Sequence, residues 1–255
     1  MTIVAARSDR ALRRVCTATL DQLRSILPSP TASGWVPANP GRARQHAGQV
    51  MFLLTDALQT LTAPTARRPA SLSEHLANRG RADATMKQLT TSVVGNDPAD
   101  VLIPQAGRLF ADLQLQLTAP DLPASVETLF GTAKLIDYLR GVLVEAIGVA
   151  LREDLDCPDD ALVEASRALA AVLAERHPGA SIEVRVPPAV AVQVALLGQG
   201  PTHTRGTPPN VVETDTRTFV QLATGALSWD EAQAQHLVQS SGAHAAEVAT
   251  LLPVV

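Results

Sequence analysis

Aromatic side chains are scarce in this chain: four Phe, two Trp and one Tyr, 3% of 255 residues. That excludes an aromatic-walled barrel and the stacking platforms of single-strand nucleic-acid binders. No run of Lys or Arg occurs, and the net charge is −4. The basic patch that nucleic acid requires is missing, and the acidic balance disfavours docking on anionic membranes. Two cysteines, Cys16 and Cys157, lie far apart and in no Cys-x-x-Cys. They read as two reduced thiols of a cytoplasmic protein. The start, MTIVAARSDRALRR, has no apolar core, so no signal peptide is expected. The longest apolar run, GVLVEAIGVAL, is too short to span a bilayer and is interrupted by Glu145. Neither Gly-x-Ser-x-Gly nor His-Glu-x-x-His occurs, and six scattered histidines show no ligand spacing.

What is present is Ala, Leu and Val, within a hydrophobic share of 46%. This length suits two domains, and this composition suits close-packed helices. Residues 7–27 carry Leu12, Val15, Cys16, Leu20, Leu23 and Leu27 at helical spacing. A Pro- and Gly-rich loop follows, then a helix over 42–61 and a connector over 62–71. Ser71 and Glu74 form a capping-box pattern that opens a helix over 71–93. Pro98-Ala-Asp leads into a helix whose first turns contain Pro104. Residues 124–154 read as one long helix. Ile136, Leu139, Leu143, Ile147 and Ala150 form a stripe that Val142, Ala146 and Val149 widen, the pattern of a central helix. Gly141 and Gly148 would admit a neighbouring helix.

After Pro158, Asp159 and Asp160 begin a helix that ends at Pro178-Gly179. The period then changes. SIEVRV alternates as a half-buried strand, and AVAVQVALL reads as a second, more buried one. PTHTRGTPPNVVETD follows, its end reading as a short strand. TRTFVQLATG and SWDEAQAQHLV read as helices, the second opened by Ser228 and Glu231. The last sixteen residues suit either a strand or a short helix. The fold class is α+β: a helical bundle over 1–155, then an α+β domain over 156–255.

Two places carry candidate chemistry. Glu145 sits in the most apolar helix, either as a metal-binding or acid–base carboxylate inside a bundle or as the partner of Arg140, Lys134 or Arg152. In 201–215, His203 and Arg205 precede the turn, and Glu213 and Asp215 follow it. These are candidate ligand-binding residues. Arg205 with Glu213 or Asp215 could brace the loop, leaving His203 to reach a ligand.

IEVRVPP, HTRGTPPNVVETD, FVQLATGALSWDEA and SGAHAAEVATLLP resemble the sterol-carrier-like domains of bacterial, actinobacterial type. That resemblance implies an apolar tunnel for a lipid or acyl-like molecule, with no cofactor. More weakly, Ser33–Trp35, the helix containing His46, and FGTAKLIDYLRGVLVEAIGVALRED resemble the DinB-like bundle of mycothiol-dependent maleylpyruvate isomerases. This second resemblance implies zinc and mycothiol, with His46 and Glu145 as metal ligands. The third ligand position falls on Val149, which cannot bind metal, so the site it implies is degenerate.

Overall fold

The computed structural model describes residues 2–28, 40–81, 88, 90–91, 95–196 and 210–255. The chain forms two compact units, Met1–Ala161 and Leu162–Val255. The boundary expected after residue 155 falls in the short connection just before the helix that begins at Asp159.

The first unit is mainly helical. Helix α1 spans Thr2–Ser25, α2 Pro40–Leu61, α3 Leu72–Arg81, α4 Ala99–Leu117 and α5 Leu135–Arg152. Helix α2 packs on α4, and α1 packs on α5. Leu23, Leu54, Leu102, Leu113, Leu139 and Val142 are fully buried between them. Helix α5 is central as expected, since most of its circumference is buried. Pro104 lies inside α4, six residues in, and the helix starts before it at Ala99.

The long helix expected over 124–154 is corrected at its start. Ser125–Thr128 (β1) and Gly131–Lys134 (β2) form an antiparallel hairpin with Ser125 opposite Lys134 and Thr128 opposite Gly131. Val126 and Ala133, paired across it, are fully buried. Gly131 takes φ +98° at the turn, a conformation that glycine adopts without a Cβ penalty. The connector is also more ordered than its composition implies. Thr65 N donates to Ser125 O at 3.0 Å, and Ala70 N donates to Thr132 O at 3.0 Å, so it flanks the hairpin on both sides.

The second unit carries helix α6 (Asp159–Arg176), whose first three residues lie within the first unit's limit. Strands β3 (Ile182–Val186), β4 (Val190–Val194), β5 (Val211–Thr214) and β6 (Val238–Ser241) make one sheet in the order β4-β3-β5-β6. Strands β3 and β5 run parallel; the other neighbours are antiparallel. Ile182, Val184 and Val186 face the core, as their alternation predicts. Strand β4 overturns the sequence expectation. It is an edge strand, with Ala191 and Gln193 exposed, because hydrophobicity alone does not report which strand lies outermost. Helices α7 (Thr216–Ala223) and α8 (Trp229–Ala234) join β5 to β6, and the ambiguous terminus holds both forms: Ser240 and Ser241 end β6, and a 3₁₀ helix, Ala245–Leu251, follows.

Candidate functional site: a buried arginine in the helical unit

Four elements of the first unit converge on one polar cluster. Helix α2 supplies Asp56; α3 supplies His75 and Arg79, one turn apart; α5 supplies Tyr138, Gly141 and Glu145; the hairpin turn supplies Phe130. The spacings i,i+4 on α3 and i,i+3,i+7 on α5 put each set on one helix face. The expected Ser71–Glu74 capping box forms and starts α3 beside them: Glu74 N donates to Ser71 Oγ at 3.2 Å, and Ser71 N to Glu74 Oε2 at 2.8 Å.

Arg79 is the centre. Its Nε donates to Glu145 Oε1 at 2.9 Å and its Nη2 to Glu145 Oε2 at 2.6 Å, a two-pronged pair. Its Nη1 lies 3.6 Å from Asp56 Oδ2. The guanidinium carbon stands 4.7 Å from the Phe130 ring centroid and 5.7 Å from that of Tyr138. The Arg79 and Asp56 side chains are 3% and 2% exposed, whereas Glu145 is 32% exposed. The cluster therefore meets solvent at Glu145. Tyr138 Oη donates to Asp56 Oδ2 at 2.8 Å.

Burial opposes charge throughout this cluster, and pairing decides the outcome. It raises the Asp56 carboxyl, against the pull of Arg79. It also works against the Arg79 cation, but Glu145 more than offsets it and holds the guanidinium above its ordinary value. Burial pushes the Tyr138 hydroxyl well up. His75 is the exception to pairing. It is fully buried, and neither ring nitrogen has a hydrogen-bond partner. Burial first, and Arg79 second, lower it to about 3, so it is neutral. A solvated or satisfied side chain, the ordinary expectation for a lone helical histidine, is not what the fold contains here.

The sequence-predicted residues separate. Glu145 pairs with none of Arg140, Lys134 or Arg152; its partner is Arg79, 66 residues away. His46 is buried on α2, and its Nε2 donates to Ile26 O at 2.6 Å, just past the end of α1. Burial lowers its pKa. Val149 is packed in the core at 3% exposure. Both Glu145 oxygens and the His46 Nε2 are thus committed to protein groups. Among the described residues, no three His, Cys, Asp or Glu side chains form a set that could hold a metal. This arrangement does not fit a three-ligand zinc. Gly141 admits helix α3, whose Arg79 and His75 side chains lie against it, whereas among the described residues no neighbouring helix comes within 4 Å of a Cβ at Gly148. Arg79, Asp56 and Tyr138 do not enter the sequence reading, whereas His75 enters it as a lone helical histidine. The signal that drew attention to Glu145, a carboxylate in an apolar helix, is repeated by Asp56 within FLLTDALQTL.

In the second unit, His203 and Arg205 lie outside the described residues. Asp215 caps α7, accepting from Thr218 N at 2.9 Å and from Thr218 Oγ1 at 2.6 Å. Glu213 stands opposite Arg185 in the β3–β5 register and contributes to the field that keeps Arg185 charged, after the nearer Glu183. The two strands flanking 195–210 are not neighbours, because β3 lies between them. Asn210, unremarked in the sequence, is the tie at this end. It is buried; its Nδ2 donates to Ser181 O at 2.9 Å, and its Oδ1 accepts from His244 N at 2.9 Å.

Residues 159–254 match the family described as Bacterial SCP ortholog. Among solved structures, the chain is similar to a mutant of the mycothiol-dependent maleylpyruvate isomerase, with 18% identity, 92% of each chain covered and a TM-score of 0.47. A second structure, titled for the mycothiol-dependent maleylpyruvate isomerase itself, shares 16% identity over 92% of each chain, with a TM-score of 0.44. Similarities of this size carry no argument about chemistry. No curated protein matches the chain.

Proposed function

We propose that this is a cytoplasmic binding protein whose C-terminal part, residues 159–254, holds a small apolar or amphipathic molecule of lipid or acyl-like kind. The observation that carries the reading is the match of that whole segment to the bacterial SCP family. The chemistry of the unit's interior agrees with it. Its described core is Ala, Val, Leu and Ile around one aromatic, Phe219. Its described buried carboxylate, Glu164, is satisfied by Arg167 on the same helix at 2.6 Å. An interior of this kind accepts an apolar chain and rejects a bare charge, whose desolvation nothing would offset. No helix among the described residues is long and apolar enough to cross a membrane.

In this proposal His203 and Arg205, on the segment that joins β4 to β5, contact the polar end of the ligand. Glu213 borders that end, and Asp215 braces the helix that follows. Zinc and mycothiol enter no step, because Glu145 is committed to Arg79 and His46 to Ile26. Native mass spectrometry of the full chain, purified without detergent and then delipidated, tests the reading. A co-purifying adduct, or saturable one-to-one rebinding of a fatty acyl probe, is the expected result. Failure of fatty acyl, sterol and polyketide-like probes alike to bind overturns it. Zinc at one per chain, lost on His46→Ala, would replace it with the metalloenzyme reading.

A further inference from the structure

Helix α4 buries one face and leaves the other uncovered. Leu102, Ala106, Phe110, Leu113 and Leu117 are buried, and α2 packs on this helix. On the opposite side Val101, Pro104, Arg108, Ala111 and Leu115 recur at intervals of three and four, and all are exposed. Leu115, at 73%, is the most open large hydrophobic among the described residues, and Val101, at 41%, shares its face. The same face carries a cation and an anion one turn apart, Arg108 and Asp112, both exposed. Among the described residues neither has a hydrogen-bond or ion-pair partner. We propose that this face of α4 is where a second copy of the chain docks, giving a two-fold symmetric dimer.

The two charges identify the occupant. A two-fold axis level with Phe110 sets two copies of α4 antiparallel and brings position 108 of one copy beside position 112 of the other. Arg108 then meets Asp112 of the other copy, and the pair forms twice, as a self-complementary contact requires. A partner surface of one sign would attract one of these side chains and repel the other, whereas the same chain satisfies both. The same axis lays Leu115 against Pro104 of the other copy. It also brings the two Ala111 side chains together near the crossing point, where small side chains let helices approach closely. Gly107, at the rim, leaves the backbone uncovered: a Cβ built there meets nothing within 4 Å. Helix α4 has 19 residues, so it is about 28 Å long. One helix face of that length buries less than the roughly 800 Å² per partner of a standard stable interface, so the dimer is a weak one.

The test is sedimentation velocity of the full chain over a concentration series from about 5 to about 500 μM, a range that brackets a weak dimer. A rise from monomer towards dimer is expected across that series. Arg108→Asp and Asp112→Arg each set like charges together at both contacts, and each should remain monomeric where the unmodified protein dimerises. Mixed one to one, these two variants should associate about as tightly as the unmodified protein, because every contact then joins opposite charges. Leu115→Lys should weaken association about tenfold or more. All three positions are exposed in the single chain, so circular dichroism should show the fold of each variant unchanged. A monomer at every concentration overturns the proposal and leaves this face to a different partner. A dimer that persists unweakened in any of the three variants overturns it as well, since the interface would then lie elsewhere. So does a mixture of the two charge variants that stays monomeric.

Discussion

The two units differ in where most of their buried polarity lies. In the helical unit, polar groups lie in the middle of the packing: Arg79, Asp56 and the neutral His75 come from helices and are almost wholly enclosed. In the C-terminal unit, apart from Glu164 and Ser166 along α6, the polar ties sit at the ends of elements. Asp215 caps a helix, Asn210 ties the start of β3 to the start of the 3₁₀ helix, and Thr214 Oγ1 donates to Leu237 O at 2.8 Å. End ties satisfy backbone groups that a helix or strand would otherwise leave unpaired, so they stabilise without burying ions. The central cluster does the reverse. Desolvating an ion pair can cost as much as its attraction returns, so such a cluster is weak evidence for stability and better evidence for specificity.

Removing the hub should give the largest effect. Arg79→Met leaves Asp56 buried without its cation and should cost the helical unit about 3–5 kcal/mol in urea unfolding followed by circular dichroism. A loss below about 1 kcal/mol would erase the contrast between the units. Acid should come next. His75 is depressed to about 3 in the fold, from the ordinary 6.5. Between those values the unfolded chain binds the proton and the folded chain does not. Stability is therefore whole above about 6.5 and falls as the pH drops towards 3, with His75 contributing about 1.4 kcal/mol per pH unit. Lowered His46 works in the same direction, whereas raised Asp56 opposes it, since the folded state holds that proton more tightly. The difference between unmodified protein and His75→Phe across this window isolates the His75 part; identical pH profiles would contradict it. The end ties should be gentler: Asn210→Ala about 2 kcal/mol, because the buried Asn210 amide holds two part-buried backbone groups that lose their bonds, and Asp215→Ala about 1 kcal/mol for a lost cap. Both are read as shifts of the C-terminal unit's unfolding, with the helical unit unmoved.

The same contrast explains what could be read in the sequence. Local signals were legible. The Ser71–Glu74 and Ser228–Glu231 capping boxes, the alternation of Ile182, Val184 and Val186, and the girth of α5 each depend on residues within one element. Pairings across the chain were not. Nothing near Glu145 names Arg79, and the three nearby cations were the natural candidates. The hairpin at 125–134 reads as helix in the sequence because its apolar spacing runs on into α5, although Val126, Thr128 and Thr132 are β-branched and Gly131 marks a turn. Strand β4 reads as buried in the sequence because composition does not encode sheet order.

The central claim is that ligand binding belongs to the C-terminal unit, whereas the buried charges of the helical unit fix how its helices pack. Amide hydrogen exchange of the delipidated full chain, with and without oleate, tests it most directly. The account predicts protection across Ile182–Val186, Val211–Thr214 and Thr216–Ala223 and none across Leu135–Arg152. Protection confined to the helices of the first unit, or absent everywhere at saturating oleate, would contradict it.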